Sequence, residues 1–150
     1  MDPTEWADSV CGSVDTWATS IRSTTSTLRG GNVSKDSLTS AAGDIKGATD
    51  TLADDLKGLD KPDTAGGDQA KESIDELSTE YKSEAKGLQD TVRASGAVKA
   101  ASSVSATLTT MSSQLQTTFA NLQKRDAKGE LEKAFRNASS CKELASKGGG

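Results

Sequence analysis

The sequence predicts an all-α protein: an antiparallel helical bundle of four to five helices, rich in Ala, Ser and Thr, with heptad-like packing. Three observations carry that expectation. Bulky apolar residues recur at spacings of three, four and seven along most of the chain, which is the period of a helix and not the alternation of a strand. Turn formers gather near residues 30, 62–67, 96 and 129, with stretches of helical length between them. The remaining residues are mostly small: Ser and Thr make 37 of the 150, Ala makes 19, and Leu, Ile, Val and Phe together make 23.

So few large aliphatic side chains accompany disorder when net charge is high, but here the net charge is -4. A sparse set of bulky residues still builds a core if it is regularly placed. Such a core is thin, and small side chains offset part of the loss by letting helices approach closely. One domain is expected over 1–147, with helices at about 3–29, 34–61, 68–95, 97–125 and 127–147, and a flexible glycine tail at 148–150.

Each helix has its own justification. Asp2, Pro3 and Glu5 form a capping-box start. Trp6, Val10, Val14, Trp17, Ile21 and Leu28 then lie on one stripe, which Gly30-Gly31-Asn32 ends. Ser34 opens the second helix, with Asp36 in its first turn. Leu38, Ile45, Leu52 and Leu59 repeat at seven, Ala42, Thr49 and Leu56 fill between them, and Pro62 stops the run. Asp68 is the expected cap of the third helix, whose seam is Ile74, Leu77, Tyr81, Ala85, Leu88 and Val92. Its wet face carries the like-charge pairs Glu72-Glu76 and Glu80-Glu84, an acidic stripe only partly offset by lysines.

Beyond Ser95-Gly96 the pattern leaves two readings open, one continuous helix over 68–125 or two. The seam there is Val98, Ala101, Val104, Leu108, Met111, Leu115, Phe119 and Leu122, and Lys99 is the one charged residue between 97 and 123. Leu131, Phe135, Ala138, Cys141 and Leu144 resume the pattern after Gly129.

Trp6 and Trp17 are eleven residues apart and share a face. They read as core anchors at two levels, or Trp6 reads as an exposed partner-binding residue near the chain end. Cys11 and Cys141, the only cysteines, allow a disulfide, two buried free thiols, or reactive thiols. A disulfide needs Cα atoms within about 7 Å. One straight helix over 68–126 would carry its far end roughly 40 Å past the others, and Cys141 could not return. Turns near Gly96 and Gly129 bring Cys141 beside helix one. The bridge and the five-segment bundle therefore stand or fall together, and a bridge points to an oxidising compartment.

Enzyme chemistry finds no foothold, and no cofactor is expected. The chain has no histidine, which removes the usual general base, metal ligand and Glu-x-x-His di-metal motif. Asp54-Asp55 point in different directions on a helix, and Gly30-Gly31 and Gly66-Gly67 lack the Lys-Ser/Thr end of a phosphate loop. Residues 1–96 carry 18 acidic and 10 basic side chains, and residues 97–150 carry 4 and 8. Lys124, Arg125, Lys128, Lys133, Arg136 and Lys142 are the one basic concentration, and the first five of them with Trp6 are the candidate partner-binding residues. With Phe135 as the lone aromatic among them, nucleic acid is disfavoured against an anionic surface or an acidic protein. Asn32-Val33-Ser34 and Asn137-Ala138-Ser139 match the N-glycosylation pattern. No apolar run is long enough to span a membrane. The opening residues carry no signal peptide, although a chain trimmed of its signal would look the same.

Trp6-Ala7-Asp8-Ser9-Val10-Cys11, followed by Trp17 and the late Cys141, resembles the mature start of small actinobacterial secreted or lipoprotein-like helical proteins. That resemblance implies an envelope location and supplies no activity. The expected function is a non-enzymatic binding or structural component of the cell envelope or exterior, with an inter-helix small-molecule pocket as one variant. The alternative is an intracellular scaffold or filament-type component that self-associates through 97–123.

Overall fold

Asp2 starts the first helix as its place before Pro3 requires, its carboxylate accepting a hydrogen bond from the Glu5 N–H at 3.1 Å. The computed structural model describes residues 1–30, 34–124 and 128–148, with side chains except at 27–30, 123 and 144–148. It comprises α1 (Pro3–Gly30), α2 (Lys35–Lys57), α3 (Gly67–Ala94), α4 (Ala97–Lys124), α5 (Glu130–Asn137) and α6 (Ser139–Gly148). Among the described residues there is no strand, and no helix is long and apolar enough to cross a membrane. The fold is all-α, as the periodicity requires.

Local chemistry explains most boundaries. Ser34 caps α2 through a reciprocal box with Ser37: the Ser37 N–H donates to Ser34 Oγ at 3.1 Å, and the Ser34 N–H to Ser37 Oγ at 2.8 Å. α2 ends at Lys57, short of the expected 61, because the chain tightens at Gly58 and the Leu59 N–H reaches back only to Leu56 O. Asp68 does not cap α3. The helix begins a residue earlier, at Gly67, where a Cβ would stand 2.1 Å from Pro62 O. Glycine alone permits that approach, and Asp68 instead meets Lys61 at 3.1 Å in the first turn.

The 67–124 stretch is two helices. Ser95 is extended, at φ -115° and ψ 160°, and Lys35 reaches across from α2 to donate its ammonium to Arg93 O, at 2.9 Å, and to Ser95 O. Two carbonyls left over at the end of α3 are thereby satisfied by a cation, which also suits the negative helix end. The segment expected as one helix over 127–147 is also two, because Ala138 leaves helical geometry at ψ 128°. Of the expected glycine tail, Gly148 closes α6, and residues 149–150 lie outside the described residues, as do the Gly31-Asn32 stop and, for its side chain, Leu28.

α2 packs between α1 and α3, α4 lies along α3, and α5 and α6 run beside α1. Among the described residues no Cα of α1 comes within 8 Å of one in α4, so large side chains bridge that gap. Trp6, Val10, Val14 and Trp17 join Leu52, Leu56, Tyr81, Met111 and Leu122 in the main core cluster. Leu38, Ile45, Leu88 and Val104 lead a second cluster among α2, α3 and α4. The predicted seams of α2 and α3 are buried, with Leu59 only partly so. α4 departs from its pattern: Val98 is 87 % exposed, and Ala100 and Thr118 are buried instead. Val98 lies on the open side of the first turn, whose packed side is Ala97 and Ala100.

One buried polar network crosses the core. The Trp17 indole N–H donates to Thr49 Oγ1 at 2.9 Å, which accounts for a threonine in an apolar heptad position. The Trp17 and Tyr81 rings lie 5.4 Å apart, and the Tyr81 hydroxyl donates to Met111 O at 2.5 Å. Burial first, and then the Glu80 carboxylate, raise the Tyr81 phenol well above its ordinary value of 10.0. The neutral phenol is thus favoured by folding. Its contribution is complete below pH 10 and is lost as pH climbs above that value, where the unfolded chain sheds the proton and the folded one keeps it. Because Tyr81 is the sole tyrosine, an alkaline titration followed by ultraviolet absorbance should show no phenolate until the helical circular dichroism collapses with it. Ionisation at the ordinary value in a folded chain would contradict this burial.

Gly43 and Gly47 face open space: a Cβ at either meets nothing within 4 Å. Gly43→Ala and Gly47→Ala should each raise stability by up to about 1 kcal/mol through helix propensity alone. Chemical denaturation of the two variants is the check.

Candidate functional site

The chain ends meet through a covalent bond. Cys11 on α1 and Cys141 on α6 form a disulfide with Cα atoms 4.9 Å apart, 130 residues apart in sequence. The breaks at Ser95-Gly96 and before α5 supply the two reversals that this bridge requires, so the continuous-helix reading with free thiols is set aside. Ala7, Ala134 and Ala138 pack around it, and their small size lets the α5–α6 arm lie close to α1.

Asp8 fastens the same joint. Its carboxylate accepts from the Ser140 N–H at 2.8 Å, in the first turn of α6. This donor has no intrahelical partner, and the positive helix end favours an anion there. Asp8→Ala should cost about 1 kcal/mol, and Asp8→Asn less, measured by thermal unfolding under oxidising conditions. Equal effects of the two would mean that the charge carries the whole contribution and a neutral acceptor none of it.

Beside the bridge, the end of α4 and the α5–α6 arm enclose a recess of about 420 Å³. Phe119 and Leu122 come from α4, Leu131 and Phe135 from α5, and Cys141 from α6. The Phe119 and Phe135 rings meet edge to face at 5.7 Å, and Phe135 meets Trp6 the same way at 6.0 Å. Arg136, Lys142 and Glu132 complete the lining, and Arg136 pairs with Glu132 one turn back. The two phenylalanines are only partly buried, so apolar ring surface remains open in a chain that has little of it.

The candidate residues fare differently. Trp6 is 1 % exposed and is a core anchor, not a surface residue, because the α5–α6 arm folds over it through Phe135. Lys124, Lys128, Lys133 and Arg136 are all exposed, and Arg136 alone of these lines the recess. Arg125 lies outside the described residues, as do Asn32 and Val33 of the first glycosylation pattern; Asn137 of the second is exposed at the end of α5. Sequence reasoning missed Asp8 and the Phe119–Phe135 opening. The spacing of Phe119 and Phe135 on separate helices gives no local signal that they meet.

Elsewhere, a larger groove of about 1130 Å³ runs between α1 and α2, where Ser and Thr side chains, Gly43 and Gly47 line it together with Asp8, Asp44, Asp55, Trp17, Leu52 and Leu59. Among the described residues no group of acidic and cysteine side chains is placed to hold a metal ion. The fold and its joint define a disulfide-closed helical bundle. Compared with known proteins, the chain matches no family model, no curated sequence and no solved structure.

Proposed function

We propose that this protein works outside the cytoplasm, as a non-enzymatic binding or structural component of the cell envelope or exterior. The Cys11–Cys141 bridge carries the reading: a buried disulfide joining the two ends of a single bundle is a device of oxidising compartments. The resemblance of the opening residues to actinobacterial secreted proteins agrees with it, and the chain offers no histidine for ordinary acid–base work. The recess beside the bridge, with its apolar floor and charged lip, offers a place for a ligand. Trapping thiols with an alkylating reagent in intact producing cells, followed by mass measurement, tests the compartment. An unalkylated chain lighter by two hydrogens than the reduced form supports the reading, and two alkylated cysteines defeat it.

A second reading, an intracellular self-associating scaffold, draws on α4, whose exposed residues between Lys99 and Lys124 are uncharged Ser, Thr, Gln and Ala. Light scattering across a concentration series separates the two, since a monomer at all concentrations removes the scaffold.

A further inference from the structure

We propose that the recess between α4 and the α5–α6 arm binds a single-chain anionic amphiphile, a free fatty-acid carboxylate. The inference rests on reading this end of the bundle as a binding site. Its volume of about 420 Å³ falls inside the range of small-molecule pockets. The floor is apolar, and both phenylalanines of the chain stand half-buried in it. Wet ring surface is unfavourable, so an acyl chain laid across Phe119, Leu122, Leu131 and Phe135 gains by excluding water.

The lip supplies the charge. Arg136 and Lys142 flank the recess with Glu132, leaving it a net charge of +1. A guanidinium offers paired donors to a carboxylate, and a bound carboxylate can compete with Glu132 for Arg136. Exposed Lys124, Lys128 and Lys133, around the end of α4 and the start of α5, add positive potential against Glu130 and Glu143 on the arm and Asp8 at the joint. A carboxylate whose tail lies in the recess is therefore met at the lip by Arg136 and Lys142.

The source is a free amphiphile and not a bilayer surface. Insertion into a bilayer needs projecting apolar side chains. Among the described residues the one large exposed apolar side chain is Val98, at the opposite end of α4 and roughly 30–35 Å away by helical rise. The apolar atoms of the recess are set back between helices, where a single tail reaches them and a membrane face does not.

Nitrogen-resolved NMR of the full oxidised chain, titrated with laurate below its micellar concentration, tests the proposal. Trp6 touches Phe135 and Trp17 lies beside Tyr81 instead. Laurate should therefore move the Trp6 indole N–H signal saturably and leave that of Trp17 in place. The double variant Arg136→Glu/Lys142→Glu, altered only at exposed positions, should bind laurate about tenfold or more weakly and bind neutral dodecanol as the parent does. Circular dichroism establishes that it keeps its helices, and Arg136→Gln/Lys142→Gln should show an intermediate loss. No saturable Trp6 shift, equal shifts at both tryptophans, or undiminished laurate binding by the double variant would overturn the proposal. So would a Trp6 shift produced by phosphatidylglycerol vesicles and not by laurate. Thiol trapping reports on the compartment independently, so the two readings fail separately.

Discussion

Reducing the Cys11–Cys141 bridge, or replacing Cys141 with serine, is expected to lower unfolding stability by about 3–5 kcal/mol. Two effects add. The bridge spans 130 residues, so its loss frees nearly the whole unfolded chain. It also removes the covalent tie on short helices: α5 has 8 residues and α6 has 10, lengths that do not hold as isolated helices. Urea unfolding with and without reductant measures the total. Hydrogen exchange shows where it acts, because residues 130–148 should lose protection before α3 does. A midpoint unchanged by reductant would mean that side-chain packing and the Asp8 cap suffice to hold the arm.

Trp17→Ala is expected to cost about 3–5 kcal/mol, as large aromatic truncations in cores do. The loss is concentrated because few other large side chains are at hand to fill the space. Trp17 bridges α1 to Thr49 on α2 and Tyr81 on α3, and Thr49 is 0 % exposed. Truncation leaves a buried hydroxyl without its donor, a further penalty within that range. A double-mutant cycle separates the parts. Trp17→Phe and Thr49→Val each strand one partner, so together they should cost less than the sum of the single changes. Strict additivity in denaturant unfolding would mean that the hydrogen bond contributes nothing beyond packing.

The elements that were legible in the sequence are those decided by neighbours three to seven residues away. The Leu38, Ile45, Leu52 repeat and the Ile74 to Val92 seam are buried as their spacing requires. Asp2 and Ser34 cap as their side chains allow. Misreadings fall where a distant group intervenes. Asp68 yields the start of α3 to Gly67 because Pro62 O lies against it, and Val98 is exposed because Ala97 and Ala100 take the buried side of the first turn of α4. The break at Ala138 serves the joint with α1, about which residues 130–148 say nothing locally.

The sequence by itself determined that the chain is helical, roughly where the helices lie, and which face of most of them is apolar, because helical period and capping are short-range. It also restricted the cysteines to a few outcomes and tied a bridge between them to two chain reversals. Tertiary structure alone decided that the bridge forms, that Trp6 is covered while the phenylalanines stay half open, and that Asp8 caps a helix 132 residues away. Those outcomes depend on which surfaces meet in space, and a residue's immediate neighbours in the chain hold no record of the surface it will face.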